Sequence, residues 1–144
     1  MSQDVEFTEI PPDECLVLLS THSMGRLGLV HEGRPFIFPV NYLLDGKTIV
    51  FRTDPGLKLS ETPLRKVALE VDDVDLEART GWSVLVQGHA FEITRAIDRR
   101  SVARRLLPVS PFAPGEKDHW IQIEVDEVTG RRLQSRSLCE AQES

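Results

Sequence analysis

The stretch Ile49-Val50-Phe51-Arg52-Thr53-Asp54-Pro55-Gly56-Leu57-Lys58 joins a predicted strand to a predicted anion site. Its first three residues are β-branched or aromatic, which is typical of a buried strand. Pro55-Gly56 then turns the chain, and Lys58 begins a predicted short helix. The guanidinium of Arg52, the hydroxyl of Thr53, the ammonium of Lys58 and the amides at the helix start all favour phosphate. The alternative is that Arg52 and Lys58 are solvated residues at a strand end.

Turn signals divide the rest of the chain into short elements at the spacing typical of a β-barrel. Asp45-Gly46 is a hairpin signal, and Glu32-Gly33 predicts a second turn. The predicted strands span 26–31, 35–44, 48–53, 66–71, 81–93 and 120–128, with a bulge or bend at Gly88. Predicted helices span 12–20, 58–64 and 98–107, followed by a proline-rich loop over 108–115. The first helix is expected to cover one barrel end, and the tail after Leu133 is expected to fray.

Composition indicates one domain over residues 1–144. A chain of 144 residues and 16.2 kDa can bury a real core, and its hydrophobic content of 40% lies just below the usual globular range. The net charge of −6 and the pI near 5.2 disfavour nucleic acid as a partner, because the average field repels phosphates. No signal peptide and no membrane span are predicted, so we expect a cytoplasmic protein.

No metal site is expected from the sequence. Cys15 and Cys139 stand far apart without ligand spacing, and the four histidines form neither an HxH nor an HExxH pattern. The carboxylates between residues 70 and 77 form a dense run, but it lacks the central glycine and closing glutamate of a calcium loop. Solvation and protection of a sheet edge explain this run.

Several segments occur in a distinctive order and spacing: Pro39-Val40-Asn41-Tyr42, Phe51-Arg52-Thr53, Gly56-Leu57-Lys58, Val71-Asp72 and Gly81-Trp82-Ser83-Val84-Leu85-Val86-Gln87-Gly88. This order resembles the pyridoxamine 5′-phosphate oxidase-like superfamily of split β-barrel flavoproteins, and its actinobacterial members in particular. The resemblance covers about residues 10–133. It implies a mainly β fold with short helices, an antiparallel split barrel of six strands or so. It also implies a homodimer with FMN, or alternatively the deazaflavin coenzyme F-420, in each of two clefts between subunits.

The resemblance assigns most cofactor contacts to two neighbouring strands. It places the backbone of Pro39, Val40, Asn41 and Tyr42 along the isoalloxazine edge, and the residues of the phosphate site are Arg52, Thr53 and Lys58. Pro39 can interrupt a strand ladder, so that nearby backbone groups remain available to the ring. Alternatively, Pro39 is an ordinary edge or bulge proline, Asn41 caps a strand bend, and Tyr42 forms part of the barrel wall.

A further strand is implied to reach a cofactor that is held mainly by the other subunit. Trp82 and Ser83 stand at its start. Trp82 is implied to stack on or wall the ring, and Gln87 is implied to hydrogen-bond the flavin or its ribityl chain. Alternatively, Trp82 packs in the core or at an interface. Gln87 is predicted to share one face of its strand with Leu85, opposite Val84 and Val86.

The implied activity is hydride transfer between a bound flavin and a small electron-poor organic substrate, with no predicted catalytic side chain. Alternatives are a deazaflavin-dependent reductase and a non-catalytic carrier or sensor of the cofactor. Arg131 and Arg132 follow the last predicted strand, and we assign them no substrate role. They are predicted to form a solvated basic turn.

Overall fold

A computed structural model describes residues 5–53, 65–92 and 119–135 of the chain. The elements in these ranges are β1 (Val5–Ile10), α1 (Pro12–Ser20), β2 (Met24–His31), β3 (Arg34–Asp45), β4 (Thr48–Thr53), β5 (Arg65–Asp75), β6 (Thr80–Glu92) and β7 (His119–Ser135). The predicted helices over 58–64 and 98–107 and the loop over 108–115 lie outside the described residues. None of the helices within these ranges has the length and apolar character needed to cross a membrane.

The strands form one antiparallel sheet that closes on itself. Its order is β1-β7-β4-β3-β2-β5-β6, and β6 also pairs with β7. The six strands β2 to β7 therefore form a closed barrel, while β1 adds to the end of β7. The predicted antiparallel split barrel of six strands or so is confirmed.

The core follows from the two-residue period of the strands, because alternate side chains point into the barrel. On β6, for example, Val84 and Val86 are buried, while Leu85 and Gln87, which alternate with them, are exposed. α1 covers one end of the barrel, as predicted, and buries Cys15 and Leu19 against the same cluster. The main cluster includes Leu27, Val40, Tyr42, Ile49, Phe51, Leu69, Val71, Val84, Val86, Ile121 and Ile123.

The turn and bulge signals are confirmed. Glu32 and Gly33 both have positive φ, at 51° and 75°, and join β2 to β3. Gly46, with φ of 64°, joins β3 to β4. The register between β6 and β7 shifts between Gln87 and Gly88, which is the predicted bulge.

Two predictions about the chain ends are wrong. β1 is an additional strand, and β7 runs to Ser135 instead of ending at residue 128. Arg131 and Arg132 do not form a turn: they pair with Glu9 and Thr8 of β1. β1 and β6 together supply hydrogen-bonding partners on both sides of this polar segment, a long-range effect that local polarity does not reveal.

β5 also extends further than predicted, to Asp75 instead of residue 71. Its acidic end is a strand because β6 pairs with it as far as Thr80. The carboxylates of this part of the run therefore alternate between two faces of a sheet.

A buried hydrogen bond connects α1 to the barrel wall. The hydroxyl of Tyr42 donates to the Leu19 carbonyl at 2.6 Å, and burial raises the pKa of this phenol. We expect Tyr42→Phe to lower the free energy of unfolding by about 1 kcal/mol, because the Leu19 carbonyl loses the shorter of its two hydrogen bonds and keeps the one from the His22 amide at 3.3 Å. Urea unfolding measures this loss. Ser20→Ala removes an exposed hydrogen bond of the same helix and is expected to change stability by less than about 0.5 kcal/mol. Equal losses in both variants would contradict the assignment.

Candidate functional site

The barrel opens between β3 and β4 beside the predicted cofactor residues. The ladder between these strands begins at the pair Asp45 and Thr48, next to the turn, and ends at the pair Tyr42 and Phe51. Beyond this point Arg52 and Thr53 pair with β7. In the described ranges, residues 34–41 of β3 pair with β2 alone. Among the described residues, the edge of β3 that faces β4 is therefore left unpaired there, which leaves its backbone donors and acceptors for a ligand.

The four predicted residues of β3 divide between two faces. Val40 and Tyr42 are buried and belong to the core, so they can meet a ligand through backbone atoms alone. Pro39 is exposed and Asn41 is half-buried, and both lie on the outer face. The ladder to β2 continues through Pro39, which pairs with Arg26, so the opening lies on the other edge of β3. Their contact with a cofactor stays a prediction.

Arg52 lies on the outer face, one residue beyond the end of the ladder. Its Cζ atom is 5.2 Å from the ring centre of Trp120, its partner on β7, which is a cation–π distance. Trp120 and Leu43 pack on Val50, which is fully buried on this outer face. This packing places a guanidinium next to the opening. The side chain of Thr53 and all of Lys58 lie outside the described residues.

The predicted residues of β6 lie on the other side of the barrel. Gln87 is exposed beside Leu85, as predicted, and Ser83 is half-buried. In the closed ring, β3 and β6 are three strands apart in either direction, so their outer faces point away from each other. One chain therefore does not bring the two predicted sets of residues together.

Trp82 has a neighbour that sequence reasoning missed. Its ring packs against the core and meets the edge of His22 at 4.9 Å between ring centres. Nε2 of His22 lies 3.1 Å from Asp73, and Nδ1 lies 2.8 Å from the hydroxyl of Thr21. No motif links these residues in sequence. The core contact of Trp82 agrees with the packing alternative.

A cleft of about 640 Å³ lies elsewhere, between α1, β1 and the middle of β7. Among the described residues, its lining includes the carboxylates of Glu9, Asp13, Asp126 and Glu127 and the two cations Lys47 and Arg131. A phosphorylated ligand is disfavoured there by charge. None of the predicted cofactor residues lines this cleft.

The residues at the β3–β4 opening fit a phosphorylated, ring-bearing cofactor. An open strand edge offers alternating donors and acceptors to a heterocycle, and Arg52 offers a cation to a phosphate. Among the side chains that the structure describes, no cluster of three His, Cys, Asp or Glu could hold a metal ion.

Comparison with known proteins identifies similar chains. The family described as pyridoxamine 5′-phosphate oxidase matches residues 11–132. The uncharacterized protein Rv0080 of Mycobacterium tuberculosis is 34% identical over 89% of this chain and 86% of its own length. The structure of an FAD-binding protein from Mycobacterium smegmatis is 30% identical with a TM-score of 0.72, over 88% of this chain and 98% of that one. An FAD-binding protein from Mesorhizobium loti has a TM-score of 0.72 at 21% identity, over 91% of this chain and 99% of that one, and supports the fold alone.

Proposed function

Since this chain belongs to the pyridoxamine 5′-phosphate oxidase family, we propose that it is a flavin-dependent oxidoreductase acting on a small electron-poor organic substrate. The observation that carries this proposal is the opening between β3 and β4. It exposes a strand edge at Pro39 and Asn41 and places Arg52 immediately beside it. The unpaired edge of β3, the guanidinium of Arg52 and the family membership all favour the same class of ligand, a flavin.

We propose FMN or FAD as the cofactor. FMN is the form implied by the sequence resemblance, and FAD is the form named for the similar protein of Mycobacterium smegmatis. Both contain the isoalloxazine ring and the ribityl phosphate that the opening fits. The deazaflavin coenzyme F-420 and a carrier or sensor role without turnover remain the alternatives.

A second copy of the chain is part of this proposal. Ser83 and Gln87 lie on β6, opposite β3 in the ring, so they reach a cofactor at the opening only from another subunit. If the residues of β3 and β4 and the residues of β6 contact the same cofactor, they must come from two copies of the chain. The proposed homodimer follows from this condition. Such a dimer has two equivalent sites related by a two-fold axis.

Each residue set has a distinct task in the proposed mechanism. The bound flavin supplies hydride transfer. Arg52, together with Lys58, balances the phosphate charge, and the edge of β3 orients the ring by backbone hydrogen bonds. The partner's β6 covers the site and excludes water. The described side chains include no activated nucleophile, and none is required for this chemistry.

Absorption spectra of the purified protein test the cofactor. We expect the two near-ultraviolet and visible bands of a flavin, either as purified or after addition of FMN or FAD, and chromatography of the released cofactor identifies which of the two binds. A single deazaflavin band would favour coenzyme F-420. Failure to bind any of the three cofactors would refute the proposal.

Turnover requires a separate measurement. The reduced holoprotein is mixed in a stopped-flow instrument with electron-poor acceptors such as nitroaromatic compounds. An oxidoreductase is expected to be reoxidised faster than the free reduced cofactor. Equal rates with every acceptor would favour the carrier or sensor.

A further inference from the structure

Three charged side chains form a cluster on the outer face of β2 and β5. Nη1 of Arg26 lies 3.3 Å from Oε1 of Glu70 and 3.0 Å from Oδ2 of Asp72. Glu70 is the ladder partner of Arg26, and Asp72 is the next residue on the same face of β5. All three side chains are only partly exposed. We call Arg26, Glu70 and Asp72 the charged triad.

The outer surface of the barrel has a covered patch where β4 and β7 pair and an open side on β2, β3, β5 and β6. In the covered patch the outward side chains of Val50 and Gln122 are 0% and 3% exposed, whereas Glu127 farther along β7 is exposed. On β2 and β3 the outward side chains of Val30 and Ile37 are 60% and 74% exposed. Exposed apolar side chains grouped on one face indicate an interaction surface. Met24 and Leu85 belong to the same open side.

The charged triad lies in the middle of the open side. The ladder runs from Pro39 through Arg26 and Glu70 to Leu85, that is, from β3 to β6 across β2 and β5. In a two-fold dimer, β3 of each copy faces β6 of the other, so the strands between them lie nearest the axis. Because the exposed apolar side chains of Val30, Ile37 and Leu85 lie on the open side, those strands are β2 and β5.

We propose that the charged triads of two copies meet near the two-fold axis of the dimer, and that loss of a proton from the triad weakens both the dimer and its cofactor sites. This inference rests on the proposed function, because it takes an intersubunit cofactor site as its premise. It adds a regulatory link between pH and assembly.

Glu70 is the carboxyl group of the triad whose pKa is raised. Burial, followed by the hydrogen bond and the charge of Asp72, raises the pKa of Glu70 to about 7, although Arg26 acts in the opposite direction. Below this pH the triad carries no net charge, since Arg26 and Asp72 balance. Above it, each triad carries one negative charge. Within the part of the chain that the structure describes, the adjoining outward residues are uncharged and provide no compensation: Gly28, Ala68, Ser83, Leu85 and Gln87.

The direction of the pH effect follows from this charge. Two negative triads that face each other with water removed repel, so the dimer retains the proton to a higher pH than the monomer does. Association therefore weakens as pH rises above about 7 and is independent of pH well below it. Each proton whose pKa rises by one unit on association contributes a tenfold change in the dissociation constant at high pH.

Fluorescence-detected sedimentation of the full chain with bound flavin tests this inference. We expect the dimer dissociation constant to be about tenfold or more higher at about pH 8.5 than at about pH 6. In Glu70→Gln the triad carries no net charge at either pH. The dimer dissociation constant of this variant is therefore expected to be the same at both pH values. Flavin retention is expected to follow the dimer in each case. Glu9→Gln, on β1 away from the open side, is expected to keep the wild-type pH dependence.

The outcomes separate this inference from the proposed function. A protein that is monomeric at both pH values, with flavin bound, overturns the intersubunit site and the inference together. A wild-type dimer without pH dependence, or a Glu70→Gln dimer that retains it, overturns only the inference. Asp72→Asn removes charge from the same carboxylate pair and is expected to flatten the pH dependence as well, which provides a second test if Glu70→Gln does not fold.

Discussion

Replacing Arg52 and Lys58 together with alanine is expected to weaken flavin binding by about 3–6 kcal/mol, or about 10²–10⁴-fold in dissociation constant. Each cation is expected to form a charge-assisted hydrogen bond to the phosphate, and each such bond contributes about 1.5–3 kcal/mol. Arg52 already lies on the outer face against Trp120, one residue past the end of the β3–β4 ladder. Titration of apoprotein with FMN and FAD, followed by the quenching of flavin fluorescence, measures the loss.

A charge-matched control separates a local contact from the overall field. Lys47 lines the acidic cleft, away from the opening and from Ser83. Lys47→Ala removes one positive charge, as Arg52→Ala does at the opening, and is expected to change flavin affinity less than about threefold, because an exposed charge at this distance is largely screened. Similar losses in Lys47→Ala and Arg52→Ala would indicate an effect of net charge. Unchanged affinity in the Arg52 and Lys58 variant would count against the phosphate site.

Gly88→Ala is expected to destabilise the fold by about 3 kcal/mol or more. A Cβ atom at this position would lie 2.1 Å from the carbonyl oxygen of Glu124, a backbone atom of β7 that cannot rotate away. The bulge between Gln87 and Gly88 brings the two backbones this close. Urea unfolding followed by circular dichroism gives the change in free energy.

Gly28→Ala is the matched glycine control within the same barrel. The nearest atoms to a Cβ at Gly28 are carbonyl oxygens at 3.9 Å, an ordinary contact distance. We expect this substitution to change stability by less than about 1 kcal/mol, and in the stabilising direction if the loss of backbone freedom in the unfolded chain dominates. A Gly88→Ala protein as stable as Gly28→Ala would show that β6 and β7 can separate at the bulge.

Elements with strong local signals were predicted closely from sequence. α1 and β4 have their predicted bounds, because a proline at the helix start and a hairpin glycine fix these ends locally. The bulge at Gly88 was predicted for a similar reason, since glycine in a strand marks close backbone approach. β1 and the second half of β7 were missed. They are strands because they pair with each other across most of the chain length, and neither has a marked apolar period of its own.

The candidate site shows the same division. Residue types alone predicted a cationic phosphate site next to a strand. The structure places Arg52 on the outer face beside β3. The opening itself depends on where the β3–β4 ladder stops: β4 keeps β7 as a partner through Thr53, whereas its pairing with β3 ends at Phe51. The pairing of Arg26 with Glu70 and Asp72 was also missed, because β2 and β5 are distant in sequence and adjacent only in the sheet.

The amino-acid order by itself determined the barrel class, the positions of most turns and the family, because alternation, glycine and proline act over a few residues. Only the tertiary structure decided the location of the opening, the placement of β3 and β6 on opposite sides of the ring, and the burial that raises the pKa of Glu70. These properties depend on strand partners and on the surroundings of a side chain, and both are set by contacts between segments far apart in sequence.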